Sequence, residues 1–187
     1  MVKINGTSRT LKLGVDYTRP ESVNFDNLVA PDGFVVTGVK FKRVTDSSFN
    51  LQLKDVRVQL QIRVTPYDYI TGKLINLERT FWISGDSKKL REEMIYNSPD
   101  IPSNSPKNFI DSKTNQFIKF VMSDLKKDAG QSTIPFFDAQ DVEGEIDFPL
   151  GGIGLMHRGH EGYGGFLAFR IYDMNLSKFF QERSNFL

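Results

Sequence analysis

Residues Val56 to Val64 read Val-Arg-Val-Gln-Leu-Gln-Ile-Arg-Val, so apolar and polar side chains alternate strictly along this stretch. Successive side chains of a β-strand point to opposite faces, whereas a helix would scatter these apolar groups around its axis. The stretch therefore predicts a strand with one buried face and one polar, cationic face. The side chains expected to point inward are Val56, Val58, Leu60, Ile62 and Val64, and those expected to face water are Arg57, Gln59, Gln61 and Arg63.

Short apolar stretches separated by turn residues recur along the rest of the chain. Residues 34–44 alternate as a second long strand after a turn at residues 31–33, and Pro66 is expected to end the strand that begins at Val56, because proline cannot donate to a ladder. A hairpin closed at residues 71–72 is expected to return over residues 74–83. Further strands are predicted at residues 11–13, 23–25, 116–122, 133–137 and 167–172, the first two of them at sheet edges.

Helical periodicity is scarce. One helix is predicted over Asp86 to Tyr96, where Leu90 and Met94 would share one face. A C-terminal tail or short helix is expected over residues 176–187. Short strands with frequent Gly, Pro and Asn/Asp punctuation predict an all-β fold, an antiparallel β-sandwich of jelly-roll type with at most one or two short helices, in a single domain of residues 1–187.

Composition limits the possible partners. The 24 cations and 23 anions leave a formal charge of +1, without the basic excess that nucleic-acid-binding and membrane-binding proteins carry. The absence of cysteine excludes thiol chemistry, Cys-ligated zinc and disulfides. No apolar stretch approaches the roughly 20 residues of a membrane span, and the chain start lacks the apolar region of a signal peptide. We therefore expect no nucleic-acid partner and no transmembrane segment.

Residues 151–165 hold seven glycines and both histidines, and we interpret them as a loop that lacks the residues of a phosphate-binding motif. Three interpretations stay open. The glycines could permit close backbone approach in a crossover, the loop could bind a sugar or peptide, or His157 and His160 with Glu161 could begin a zinc site that lacks an evident further ligand. The candidate ligand-binding residues are His157, Arg158, His160 and Tyr163 in this loop, and Arg57 and Arg63 on the cationic strand face.

Carboxylates occupy alternate positions from Asp141 to Asp147. Clustered oxygen ligands suit a hard cation, which makes Asp138 and Asp141 candidate calcium ligands, although the spacing matches no EF-hand loop. The alternative is a solvated strand that pairs with the cationic strand across the sheet. Apart from this calcium and the zinc alternative above, no cofactor is suggested.

No catalytic arrangement stands out. The chain has no Gly-x-Ser-x-Gly motif, both histidines lie in one stretch, and its 23 acids are too many for any one pair to be specific. We expect no enzymatic activity.

Four stretches stand in order along the chain: residues 29–39 (Val-Ala-Pro-Asp-Gly-Phe-Val-Val-Thr-Gly-Val), 115–120 (Asn-Gln-Phe-Ile-Lys-Phe), 127–140 and 162–166 (Gly-Tyr-Gly-Gly-Phe). Together they resemble the C-terminal region of an uncharacterised family of arthropod proteins, a domain of unknown function, over roughly residues 11–175. The resemblance implies an extracellular module and supplies no catalytic residues. The chain departs from the family in lacking a signal peptide and the upstream region, which leaves open a free-standing relative such as a protein of an insect-infecting virus.

Two functional hypotheses follow. The first is a non-catalytic extracellular recognition module that binds a glycan or a protein through the Gly-rich loop and the cationic strand face. The second is a self-assembling structural subunit, such as an insect-virus capsid or surface protein, made in the cytosol as a virion component. In the second hypothesis the Phe-rich tail, with Phe179, Phe180 and Phe186, contacts a neighbouring copy, since clustered exposed rings mark interfaces.

Overall fold

Two facing β-sheets account for most of the chain that the computed structural model describes. The described residues are 2–4, 7–9, 22–45, 56–86, 89–94, 109–120, 136–138, 140–144, 148–159, 165–177 and 179–180. In chain order the strands are β1 (Val2–Ile4), β2 (Thr7–Arg9), β3 (Ser22–Phe25), β4 (Asn27–Val29), β5 (Phe34–Thr45), β6 (Val56–Asp68), β7 (Lys73–Leu74), β8 (Phe81–Ser84), β9 (Glu92–Glu93), β10 (Phe109–Ile110), β11 (Gln116–Lys119), β12 (Phe136–Phe137), β13 (Leu150–Gly159) and β14 (Gly165–Asp173).

The larger sheet has the strand order β5-β6-β3-β11-β9, and β7 and β8 also pair with β6. The smaller sheet has the order β10-β13-β14-β12, with β4 paired to β13, while β1 and β2 form a separate two-stranded ribbon. A short 3-10 helix spans Leu77–Arg79, and the last described residues take up helical conformation at Ser177 and Phe179–Phe180. The expected all-β, sandwich-like fold is confirmed.

The core lies between the two sheets. On β6 the predicted inward side chains Leu60, Ile62 and Val64 are fully buried, and they pack against Leu28 and Ile153 of the smaller sheet. A second apolar cluster continues this core and consists of Val23, Phe25, Ile118, Leu155 and Leu167, while the partly buried Phe169 ring packs against both clusters.

Strand β6 departs from its prediction in two ways. It does not end at Pro66, which pairs with Phe34 and accepts a hydrogen bond through its carbonyl oxygen from the Ile75 N–H at 3.0 Å, so the strand continues to Asp68. Gln59 and Gln61 are buried rather than facing water. Strand β6 is an interior strand, flanked by β5 on one side and by β3 and β8 on the other, so side chains of neighbouring strands surround these two glutamines, whereas Arg63 on the same face is exposed.

Two other expectations were wrong. Strand β3 is not an edge strand: it lies between β6 and β11, and all four of its residues are buried. The helix predicted over residues 86–96 is absent from the described part of that range, where Glu92–Glu93 instead pairs in parallel with Gln116–Phe117. The Leu90 side chain that suggested a helical apolar face is 92% exposed.

The turns and most of the short strands follow the prediction. Gly33 and Gly72 have φ of 79° and 67°, in the left-handed region that suits glycine, at the expected turns. Within the described residues, the predicted strands at 116–122, 133–137 and 167–172 correspond to β11, β12 and β14. The predicted strand at residues 11–13 lies outside the described residues.

The Gly-rich stretch is a strand, not a loop, over residues 151–159. An added Cβ at Gly151 would lie 2.4 Å from the Asp173 carbonyl oxygen, and one at Gly152 would lie 2.6 Å from that of Leu28. The glycines therefore allow β14 and β4 to approach β13 closely, which is the role expected of them in the crossover interpretation.

A buried ion pair marks the point where the chain leaves the larger sheet for the smaller one. Asp26 lies between β3 and β4, and its carboxylate accepts hydrogen bonds from Arg91 Nε at 3.1 Å and Arg91 Nη2 at 2.9 Å. The side chains of Arg91 and Asp26 are 1% and 8% exposed. Arg91 also donates to the carbonyl oxygens of Asp86 and Lys89, which holds the segment before β9 against the crossing.

The close approach at β13 gives a testable prediction. Gly151→Ala should lower the free energy of unfolding by about 1–3 kcal/mol, because its Cβ would meet backbone that cannot move independently. Gly144→Ala is the matched control, since its nearest neighbour is the Leu150 Cδ2 atom at 3.2 Å, the end of a flexible side chain. Urea denaturation of both variants measures the difference, and equal losses would contradict the steric argument.

The buried ion pair gives a second prediction. Arg91→Met should lower the free energy of unfolding by about 3–5 kcal/mol, because it leaves the Asp26 carboxylate buried without its counter-charge. Lys119→Met breaks an ion pair with Glu93 whose side chains are 55% and 38% exposed, so it should cost about 1 kcal/mol or less. Chemical denaturation of the two variants tests this, and a loss for Arg91→Met no larger than for Lys119→Met would overturn it.

Candidate functional site

The outer face of the larger sheet, opposite the core, presents a cationic surface. We define the cationic face as Lys40 and Lys42 of β5, Arg63 of β6 and Trp82 of β8, all of them exposed. Strand register brings these side chains together, because Arg63 pairs with both Gly38 and Trp82 on the strands at its two sides. Strands β5 and β8 carry no carboxylate, and the only acid of β6 is its last residue, Asp68.

The Lys40 ammonium lies over the Trp82 ring, with Nζ 3.8 Å from the ring centroid. The negative face of an indole attracts a cation at this distance, so the lysine is held beside the ring rather than free in solvent. Trp82 remains 40% exposed. An exposed indole with an adjacent ammonium can contact a ligand through both apolar and charged groups.

Arg63 is also held in place. Its Nη2 donates to the Thr37 carbonyl oxygen at 2.8 Å, and Thr37 Oγ1 is hydrogen-bonded to Thr65 Oγ1 at 2.8 Å. A Cβ at Gly38 would lie 3.3 Å from Arg63 Nε, so glycine at this position leaves room for the guanidinium over the sheet. The strand register shifts between Val36 and Gly38, which places Thr37 in a bulge beside the arginine.

Arg57 has a different environment from Arg63, although both lie on the same side of β6. It is half-buried, and its guanidinium carbon lies 4.8 Å from the centroid of the Phe117 ring. Between the two arginines, Gln61 donates a hydrogen bond from Nε2 to Ser84 Oγ, while the buried Gln59 Oε1 has no partner among the described residues. Of the two arginines of β6 predicted to bind ligand, only Arg63 is exposed.

His157 lies inside the sandwich. It is fully buried on the side of β13 that also carries Ile153 and Leu155, its Nδ1 atom is 2.7 Å from Asp111 Oδ1, and its backbone N–H donates to Ser112 Oγ at 2.8 Å. Burial lowers the pKa of His157 to about 4. A side chain in this position ties β13 to the segment after β10 and is not available to a ligand at the surface, so its assignment as a ligand-binding residue was wrong.

The other predicted residues of the Gly-rich stretch are separated from His157. Arg158 lies on the opposite side of β13, half-buried, and its Nε has no partner in the described part of the chain. His160, Glu161 and Tyr163 lie outside the described residues. The loop-binding and zinc interpretations therefore stay predictions for these three positions.

Asp138 and Asp141 occupy an exposed connection after β12. The Asp138 backbone N–H donates to the Leu167 carbonyl oxygen at 2.7 Å, and Asp138 Oδ1 accepts a hydrogen bond from the Gln140 N–H at 3.0 Å. No group of three or more acidic or histidine side chains arranged for a metal ion occurs within the described residues. Residues 141–144 are not a strand, so the expected strand pairing is wrong for them, and residues 145–147 lie outside the described part.

The described part of the C-terminal tail folds back onto the turn that follows β6. The Phe179 ring centroid lies 5.2 Å from that of Tyr69, and the neighbouring Phe180 ring is 61% exposed. Phe186 lies outside the described residues. Across the described ranges, none of the helical residues forms a helix long and apolar enough to span a membrane.

Sequence reasoning missed Trp82, Thr37 and Asp111. Trp82 is the only tryptophan of the chain, and it lies on the hairpin return arm that the sequence predicted, so alternation along Phe81–Ser84 could have placed it opposite Arg63. Thr37 and Asp111 carry no such signal, because their roles depend on a bulge and on a contact between segments 46 residues apart.

The buried histidine predicts acid sensitivity. Because burial lowers its folded pKa from 6.5 to about 4, the unfolded chain binds a proton first as the pH falls. The free energy of unfolding should then fall by about 3 kcal/mol between pH 6.5 and pH 4 through this group, and be fully regained above pH 6.5. His157→Asn, which keeps a donor near Asp111, should remove this part of the decline. His160→Asn, at the other histidine, is the control. If the free energy of unfolding, measured by urea denaturation, depends equally on pH in both variants, the decline does not come from His157.

Comparison of the chain with protein-family models, with curated proteins and with solved structures gave no match. The candidate function therefore depends on the geometry of the cationic face.

Proposed function

We propose that the chain is a non-catalytic binding module that recognises an anionic partner, a glycan or a protein, through the cationic face. The observation that carries the proposal is the arrangement of Lys40, Arg63 and Trp82, in which two cations with fixed positions flank an exposed indole. Fixed side chains lose less conformational entropy on binding than free ones, which favours specific over merely attractive contact.

The chemistry of these groups defines the ligand. A guanidinium binds carboxylate or sulfate groups with two parallel N–H donors, and Arg63 retains donors beyond those it gives to Thr37. An indole provides a flat apolar surface for a sugar ring or an aliphatic side chain. Acidic glycans and acidic protein segments both combine these features.

A second candidate function is a self-assembling subunit, favoured by an exposed apolar surface around the hairpin between β6 and β8. Ile70 and Leu77 of this segment are 76% and 63% exposed, and the contact between the Phe179 and Tyr69 rings brings the 61% exposed Phe180 to the same turn. Large exposed apolar side chains on one surface are typical of protein interfaces. An extracellular location and an arthropod or viral origin remain part of the proposal, supported by the sequence resemblance alone.

Charge reversal tests the proposed function. Lys40→Glu/Lys42→Glu should weaken binding to an immobilised sulfated polysaccharide or to polyglutamate by roughly tenfold or more, equivalent to about 1.4 kcal/mol. Lys73→Glu/Lys113→Glu is the matched control, because it makes the same charge change at exposed lysines outside the cationic face. Biolayer interferometry at physiological salt measures both variants.

The outcomes separate the ligand classes. Binding of the polysaccharide alone indicates a glycan, and binding of polyglutamate alone indicates an acidic protein. Equal weakening by both double variants, or no binding of either polyanion by the unaltered chain, would overturn the proposal.

A further inference from the structure

The cationic face ends at β5, a strand at the edge of the larger sheet as described. Within the described residues β5 pairs with β6 alone, so no described strand lies beside the other edge of this 12-residue strand. Alternate residues of an edge strand direct their N–H and C=O groups away from the existing partner, and these groups can pair with an added strand. Extended peptides bind sheets in this way, with backbone hydrogen bonds giving affinity and side-chain contacts giving specificity.

The two sides of β5 require different side chains from such a strand. Lys40 and Lys42 lie on the outer side, and Val39 and Phe41 lie on the side of the core, where they nevertheless remain 44% and 43% exposed. The Phe41 ring lies 5.7 Å from the ring of Phe137, which is itself 47% exposed. A complementary strand therefore carries carboxylates on one side and apolar groups on the other.

The chain itself contains a segment with this pattern. Asp141 and Glu143 alternate with Val142 and Gly144, and the sequence continues the alternation through residues 145–147, which lie outside the described part, to Phe148. Residues 141–143 are exposed and are not part of a strand, and Val142 and Phe148 are 42% and 44% exposed. The segment therefore exposes both kinds of group that the β5 edge requires.

Within one molecule the described residues of this segment, 141–144, lie elsewhere. The Gly144 backbone rests against Leu150 and Ile171 of the smaller sheet, where an added Cβ would be 3.2 Å from Leu150 Cδ2 and 3.8 Å from Ile171 Cδ1. No described residue between 140 and 144 pairs with β5, so the described part of this segment does not occupy the edge of its own molecule.

We infer that a second copy of this chain adds its acidic segment, beginning at Asp141, as a strand to the open edge of β5. This rests on the proposed function, because it names the anionic partner of Lys40 and Lys42. The contact joins two different surfaces, so a pair of molecules keeps one unused edge on one molecule and one unused segment on the other. Such head-to-tail contacts extend to rings or filaments rather than stopping at dimers.

Charge exchange tests the inference on the full chain. The unaltered protein should show a weight-average mass by static light scattering that rises with concentration. Lys40→Glu/Lys42→Glu and Asp141→Lys/Glu143→Lys should each weaken self-association by about tenfold or more. An equimolar mixture of the two variants should restore it, because each then meets its opposite charge.

The quadruple variant, with Lys40→Glu, Lys42→Glu, Asp141→Lys and Glu143→Lys, should associate like the unaltered chain. Circular dichroism confirms that each variant is folded. Should any charge variant fail to fold, Val142→Ser provides a replacement that alters only the apolar half of the contact, and it should also weaken association. Lys73→Glu/Lys113→Glu is the charge control and should associate like the unaltered chain.

Failure of the inference can be distinguished from failure of the proposed function. An unaltered chain that stays monomeric at all concentrations, or a mixture that fails to restore association, overturns the inference. If the monomeric chain still binds sulfated polysaccharide through Lys40 and Lys42, the proposed function stands without it. Asp141→Lys/Glu143→Lys should lose self-association and keep polysaccharide binding, and loss of both properties would overturn the separation of the two surfaces.

Discussion

The buried pairing of Asp26 with Arg91 is the constraint on which the two-sheet arrangement depends. The chain changes sheets at Asp26, so the apolar residues before and after it, Phe25 and Leu28, enter different clusters of one core. The Asp26 carbonyl oxygen also accepts a hydrogen bond from the Leu155 N–H at 3.3 Å, which ties the crossing to β13. A carboxylate at this depth is tolerated because one guanidinium supplies both charge and hydrogen bonds. Gly85 packs against the Asp26 carboxylate and leaves no room for a larger residue, because a Cβ at Gly85 would lie 2.4 Å from Asp26 Oδ2.

The cationic face follows from the position of β6 inside the larger sheet. Because β5 and β8 flank this strand, residues that are distant in sequence meet in register above it, and the lysine-indole and arginine-threonine contacts form. The same position buries Gln59 and Gln61, so polar side chains on this face divide into a covered set near the middle and an exposed set around it. The exposed set faces solvent from strands whose opposite side packs in the core.

Much of the fold could be predicted from the sequence, because side-chain alternation is a local property. The parity of Leu60, Ile62 and Val64 correctly identified the buried face of β6. Alternation does not report whether a strand is central, so Gln59 and Gln61 were misplaced. Local composition also failed where residues distant in sequence determine the conformation. The glycines of β13 suggested a loop, but they form a strand because β4 and β14 lie close beside them. An i, i+4 pair suggested a helix near Arg91, where the chain forms none in its described part. Of the candidate site residues, Arg63 lies at the surface as expected, whereas His157 belongs to the core.

The Lys40–Trp82 contact also gives the molecule an internal reporter. Trp82 is the only tryptophan among 187 residues, so long-wavelength ultraviolet excitation selects an indole that lies on the cationic face itself. Its emission depends on the nearby ammonium and on solvent contact, both of which an arriving anion would change. Binding of the proposed anionic partner at this surface would thus carry its own optical signal, without any attached dye.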